Sequence, residues 1–269
     1  MGLMTGTGPF GLRASGAFNF APDPPQGHAI YLDPTARRVR GMLGGETVVD
    51  SRDVLLLHEH GHLPVWYFPR TDVRLNLLAP SAHASHCPHK GDAVYWTIAA
   101  GGSTAENGAW AYPQPLAAVS VIADRIAFYW NALERWLEED EEVFKHPRDP
   151  YHRVDALRSS RRVRISLEGT LLAESMRPLA LFETGLPTRW YLPKAGVAAS
   201  LAPTTRTSRC PYKGIASYWA VGGHEDVAWS YESPIAEIPS ITGLVCFFDE
   251  LVDVELDGEP QARPVTPWS

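Results

Sequence analysis

The stretch that decides the fold is CPHKGDAVYW, Cys87 to Trp96, because it is met again as CPYKGIASYW, Cys210 to Trp219. Seven of the ten positions are identical, the closing Tyr-Trp pair included. Working outward, other segments repeat in the same order. RRVRGMLGGETVVDSRD from Arg37 matches RRVRISLEGTLLAESMR from Arg161. LLLHEHGHLPVWYFPR from Leu55 matches ALFETGLPTRWYLPK from Ala180. GAWAYPQPL from Gly108 matches VAWSYESPI from Val227, and IAFYW from Ile126 matches VCFFD from Val245. His28 and His152 stand the same distance ahead of their RRVR. A period of about 120 residues is too long for a solenoid and points to duplicated domains.

Within each copy, short apolar and aromatic runs alternate with turn residues, the pattern of closely spaced strands. VRGMLGGETVVDS predicts a strand, a Gly-Gly turn and a returning strand. WYFPR, VRLNLLA, AVYWTIAAGG, WAYP and AFYW supply the rest. The expected fold class is mainly β: two tandem homologous small domains, each a twisted sheet curled into a barrel-like or tent-like form. One exception is expected. In YWNALERWLEEDEEV from Tyr129, Trp130, Leu133, Trp136 and Leu137 recur at helical spacing with acidic residues opposite. This predicts one α-helix after the first copy, ended by Pro147, with no equivalent in the second and with Glu138 to Glu142 as a solvated face. The expected layout is a flexible N-terminal arm over 1–27, a first repeat domain with its helix over 28–150, a second over 151–260 and a tail over 261–269.

Composition excludes some classes of function. The 269 residues are 45% hydrophobic and 20% charged, an ordinary globular balance. A net charge of −7 argues against nucleic acid as main partner, since phosphate binding needs concentrated Lys and Arg. No apolar run is long enough to cross a membrane as a helix, and the N-terminal stretch lacks the features of a signal peptide. The three cysteines, Cys87, Cys210 and Cys246, are too few for a disulfide framework. Free thiols and a cytoplasmic location are therefore expected.

The chemistry-bearing candidates come from the repeat. In CP(H/Y)KG, Pro and Gly make a tight turn that presents a thiol and an ammonium group together. Cys87 with Lys90, and Cys210 with Lys213, are thus candidate catalytic pairs, because a nearby positive charge favours the thiolate. The plainer reading is a buried structural Cys and a Lys holding an acidic partner. Matched across the copies are also Glu59 and Glu183, Arg70 and Lys194, Tyr95 and Tyr218, Trp96 and Trp219, Trp110 and Trp229, and Trp66 and Trp190. A Lys and an Arg beside aromatic walls suit a flat anion; the alternative is that the aromatics fill the core and Lys–Glu pairs rim it. The first copy is rich in histidine, at 58, 60, 62, 83, 86 and 89, and Cys with imidazole suits zinc. The second copy carries Phe182, Thr184, Arg206, Arg209 and Tyr212 instead, so no metal is assigned to the shared fold and no motif names a cofactor. Nucleotide-binding glycine loops, a GxSxG elbow and HExxH are all missing.

CPYKGIASYW, the ETGLPTRWYLP segment from Glu183, AWAYP from Ala109 and IAFY from Ile126 together resemble the domain-of-unknown-function 427 family, over nearly all of the chain beyond its first 27 residues. The resemblance implies a compact, mainly β fold of the Mss4-like or β-tent kind. A zinc ion staples the sheet in several relatives of that fold, and its four cysteines are missing here. The family also carries a nucleotidyltransferase-like label. The acidic residues such chemistry needs have their nearest counterpart in Asp50-Ser51, aligned with Glu174-Ser175.

Two functions of different class stand open. One is binding of a small anionic or nucleotide-like ligand by Lys90, Arg70 and the aromatics of each copy, or between the copies of this built-in pseudo-dimer. The other is group transfer by the Cys/Lys pairs. An interaction scaffold without catalysis is the third.

Overall fold

A computed structural model describes residues 2–6, 8, 10, 11 and 28–266, so most of the expected arm over 1–27 and the last three residues of the tail lie outside the described residues. The chain divides into two compact units, over residues 3–149 and from Pro150 onward. In the first, strands run β1 (Ile30–Thr35), β2 (Val39–Leu43), β3 (Glu46–Ser51), β4 (Val54–Glu59), β5 (Val65–Pro69) and β6 (Leu78–Cys87). They continue as β7 (Gly91–Ala100), β8 (Ser103–Ala111), β9 (Arg125–Phe128), β10 (Arg135–Glu138) and β11 (Glu141–Val143). A seven-stranded sheet is ordered β1-β4-β5-β9-β8-β7-β6 and a four-stranded sheet β11-β10-β2-β3.

The second unit repeats this. Its strands are β12 (Val154–Arg158), β13 (Val163–Leu167), β14 (Thr170–Ser175), β15 (Leu179–Glu183), β16 (Arg189–Leu192) and β17 (Leu201–Cys210). β18 (Gly214–Val221), β19 (His224–Ser230), β20 (Val245–Phe247), β21 (Asp253–Leu256) and β22 (Glu259–Pro260) follow. The orders are β12-β15-β16-β20-β19-β18-β17 and β14-β13-β21-β22, strand for strand the first unit's. Both sheets of each unit are open; neither closes into a barrel. No helix among the described residues is long and apolar enough to cross a membrane.

Alternation along the strands explains the layering. On β4, Val54 and Leu56 face a core shared with Val39, Val48 and Val49 of the smaller sheet, joined there by Trp66 and Phe68 of β5. Leu55, Leu57 and Tyr67 face the other side of the large sheet, against Tyr95, Tyr112 and Ile122. The large sheet is therefore buried on both faces, which is why β4 reads as the unbroken run Val-Leu-Leu-Leu. Val163, Leu172, Trp190 and Phe247 form the equivalent interlayer core in the second unit, and Leu181, Tyr191, Tyr218 and Tyr231 the equivalent outer one.

The predicted α-helix does not exist. Trp130–Ala132 is a single 3-10 turn, and the rest is the hairpin β10–β11. Glu139 at its turn has φ +50°, which no right-handed helix accommodates. The reason is tertiary. β10 pairs with β2, setting Trp136 opposite Gly41, and a ladder that buries a tryptophan outweighs helix propensities of tenths of a kcal/mol per residue. Of the acidic run only Glu138 is buried; Glu139, Asp140 and Glu141 are exposed, as a solvated face requires, though hydrogen bonds from arginines reach three of the five. Arg37 donates to Glu138 at 2.5 Å, Arg40 to Asp140 at 2.5 Å, and the Arg38 backbone N–H to Glu139 at 2.9 Å. The second copy has its equivalent in β21–β22, where Asp257 at φ +55° receives Arg161 and the Arg162 backbone.

Candidate functional site

The CP(H/Y)KG turn joins β6 to β7 and β17 to β18. Gly91 and Gly214 sit at φ +103° and +102°, a conformation that favours glycine. The Lys90 N–H closes the turn on the Cys87 carbonyl at 3.2 Å. The turn sends the lysine inward. Lys90 Nζ donates to Glu59 Oε2 at 2.5 Å, and His28 Nε2 meets the other carboxylate oxygen at 2.7 Å. His89 stacks flat on His28, with ring centroids 3.7 Å apart. The second copy has the same assembly: Lys213 on Glu183, His152 on its second oxygen at 3.0 Å, and Tyr212 stacked on His152 at 3.9 Å.

Electrostatics make these assemblies ion pairs. Burial alone would raise the Glu183 pKa, but Lys213 and His152 outweigh it and bring it to about 2. Burial works against the Lys213 charge, yet Cys210 and Glu183 hold its pKa above the ordinary lysine value. Glu59 is likewise lowered: burial opposes, and the hydrogen bonds from Lys90 and His28 prevail. Buried tyrosines surround each pair, with Tyr67 and Tyr112 in the first copy and Tyr191 and Tyr231 in the second, all raised by desolvation. Each lysine is engaged by its glutamate, so the cluster pins the tip of one hairpin to the end of β4 or β15. Cys87 and Cys210 are half-buried beside it, and Cys246 is fully buried.

The sheet sorts the predicted residues onto two faces. Glu59, Cys87, Lys90, Tyr95 and Trp110 come together, as do Glu183, Cys210, Lys213, Tyr218 and Trp229. Tyr95 bonds Ser85 at 2.8 Å and Tyr218 bonds Ser208 at 2.9 Å. Trp110 packs on Tyr129 and Trp229 on Phe248, both at 4.5 Å. Trp96 and Trp219 belong to the interlayer cores. Arg70 lies over Trp96 at 5.7 Å, and Lys194 over Trp219 at 4.5 Å while it pairs with Glu232 at 2.8 Å. Arg70 and Lys90 therefore do not share one site.

The histidines divide: His60, His62 and His89 gather around His28, and His58, His83 and His86 lie elsewhere. His60 and His62 lie 6.3 Å from His28, His83 packs on Tyr95, and His86 pairs with Asp92 at 2.6 Å. His58 is buried near Asp33 and Asp149, and its pKa is lowered by that burial. No group of three or more His, Cys, Asp or Glu among the described residues is arranged to hold a metal. Asp50 and Glu174 each accept a hydrogen bond from an arginine at 2.7 Å, Arg38 and Arg162 respectively.

One feature escapes the sequence reading. The second unit holds an open cavity of about 490 Å³ at the edge between its two sheets. Trp190, Val252 and Val254 wall it, Arg158 and Arg161 stand with Ser159 along one side, and Asp249 lines it as well. The segment with Gln261, Ala262 and Pro264 closes another side. Arg161 lies over the Trp190 ring at 5.5 Å. In the first copy the corresponding space is filled. Gly41 and Ile165 are each the residue after RRVR; Gly41 pairs with Trp136, and Ile165 with Val254. The Trp136 ring lies where a side chain on residue 41 would be, with Cζ3 2.7 Å from the position of a Cβ. Trp66, the counterpart of Trp190, packs on Trp136 at 5.4 Å and on Trp130 at 5.8 Å. The sequence signal was present: Trp130 and Trp136 have no tryptophan partner in the second copy.

Residues 31–139 and 155–258 match the model of a family described as NTP_transf_9, domain of unknown function (DUF427). The chain belongs to the DUF427 family. The two matched segments are the two strand-for-strand copies, so this is a tandem DUF427 protein. No curated protein matches it. Within the two DUF427 domains the His–Glu–Lys assembly is common, and the cavity described above is a property of the second.

Proposed function

We propose that this tandem DUF427 protein binds a small organic anion in the cavity of its second domain, while the first domain carries a filled version of the same space. The observation that carries this reading is the cavity beside Trp190. Its volume of about 490 Å³ suits a small-molecule site, and apolar walls with a few polar groups are what such sites use. Trp190, buried and with Arg161 over its ring, contributes apolar wall. Arg158 and Arg161 bring guanidinium groups to the lining, Arg161 while it donates to Asp257, and these are the groups that would receive an anion.

The test copies the first domain into the second. Ile165→Gly with Val254→Trp places a ring where Trp136 sits in the first copy. Organic anions, from benzoate to nucleoside monophosphates, are screened by thermal shift and tryptophan fluorescence against both proteins. At 100-fold above its dissociation constant a ligand adds about 2.7 kcal/mol. Binding by the wild type and loss of it in the filled variant are expected. Equal binding by both, or silence of the wild type across the panel, would refute the reading.

A further inference from the structure

We infer that the ligand of this cavity is bipolar: an aromatic acid whose end remote from the acid group carries a hydrogen-bond donor, a hydroxyl or amino group, received by Asp249. This rests on the cavity reading above and adds what the ligand must present at each end. The Asp249 side chain is only 12% exposed, yet it lines the cavity. Its nearest cation, Arg189, is otherwise engaged. Arg189 donates to both oxygens of Glu250, at 2.9 and 2.5 Å, and approaches Asp249 Oδ2 only at 3.5 Å. A carboxylate has lone pairs for about four donors, so a single long contact leaves acceptor capacity on a side chain that lines the cavity. A buried acceptor in that state gains from any donor placed against it, and an acceptor-only ligand would leave it unsatisfied.

The ligand's orientation follows from charge. An anionic group cannot lie against Asp249 without repulsion in a partly desolvated space. Its place is with Arg158, whose planar fork suits a carboxylate, and with the Nη groups of Arg161, whose Nε is already bonded to Asp257. Trp190, Val252 and Val254 supply the apolar wall for the ring between the two ends. Burial also pushes the Asp249 pKa up to about 6, as expected of a carboxyl short of partners.

Three probes separate the possibilities on the full chain: benzoate, 4-hydroxybenzoate and 4-aminobenzoate, with affinities from ligand-observed NMR titration. The wild type is expected to bind the hydroxy and amino acids at least fivefold more tightly than benzoate. In Asp249→Ala that advantage should disappear while benzoate binds as well as before or better. Asp249→Asn, which keeps size and polarity, serves if the alanine variant does not fold, and should reduce the advantage at least twofold. Equal affinity for all three acids in the wild type, or an advantage that survives both substitutions, would overturn the bipolar ligand and leave the cavity reading standing. If none of the three binds and the wider anion panel is silent too, both readings fall together.

Discussion

The two domains share every strand and differ in what lies between their sheets. In the first, Gly41 makes room for Trp136, which stacks with Phe68 at 6.0 Å and with Trp130 at 5.5 Å. In the second, Ile165 and Val254 occupy the paired positions, Asp249 stands where the chain of the first copy carries Trp130, and an open cavity follows. The polar assembly on the opposite face of the large sheet is kept in both. Duplicated domains can thus hold their backbone and hairpin anchors constant while a few bulky residues decide whether an interlayer space is core or site.

The largest way to break the comparison is at the shared ion pair. Lys213→Ala leaves Glu183 buried without its cation and should cost about 3–5 kcal/mol of second-domain stability. Lys90→Ala should cost the first domain less, because the His28 and Glu59 side chains are 22% and 12% exposed against 1% and 6% for His152 and Glu183. Hydrogen exchange resolved by domain reads each unfolding separately; equal losses would contradict the difference in burial.

Acid sharpens the same contrast. The folded Glu183 pKa of about 2 lies below the ordinary 4.5, so the stability it contributes is complete above pH 4.5 and is lost as pH falls toward 2. That contribution is about 3 kcal/mol at neutral pH, and Glu183→Gln should flatten the acid limb of second-domain unfolding. Asp249 acts with the opposite sign. Its folded pKa of about 6 lies above the ordinary 3.8, so its neutral form favours folding below pH 3.8 and that benefit is lost as pH rises through 6. Asp249→Asn should therefore raise the second domain's midpoint at pH 7.5 more than at pH 4.5. An unchanged difference between the two pH values would contradict the burial of this carboxyl.

A smaller effect is expected from bulk. Gly41→Val alone overpacks against Trp136 and should cost about 1–3 kcal/mol in denaturant unfolding of the first domain. With Trp136→Val the two changes should cost less than their sum, because a Cβ at residue 41 meets Leu133 and Trp136, and the larger of these two side chains is then gone. Least of all, Arg38→Ala and Arg162→Ala remove exposed pairs with Asp50 and Glu174 and should leave both midpoints where they were.

Much of the fold is legible in the residues. The duplication, the hairpin through Gly44-Gly45 and the strands around the two Tyr-Trp pairs follow from local pattern and turn chemistry. The segment from Tyr129 is not, since Trp130, Leu133, Trp136 and Leu137 satisfy a helical period while β2 supplies a stronger partner. Of the polar assembly, Lys90 and Glu59 stand out as matched positions. Their convergence with His28 depends on the pairing of β1 with β4, which sets Ile30 opposite Glu59. Arg70 is matched as well, but it stands in the 3-10 turn Arg70–Asp72 that follows β5 and lies over Trp96 on the other face, a placement fixed only by the assembled sheet. The cavity is a difference of volumes, visible only when facing residues are known.

The exchange of bulk between Gly41–Trp136 and Ile165–Val254 also bears on how the chain assembles. Two homologous domains tethered on one polypeptide meet at high local concentration, and strand exchange between them is their characteristic hazard. Pairing β2 with β21 would set Gly41 against Val254 and leave a void. Pairing β13 with β10 would drive Ile165 into the Trp136 ring. Each of these strands thus carries a residue size matched to its own partner, and a mismatch in either exchanged pairing would disfavour the exchange.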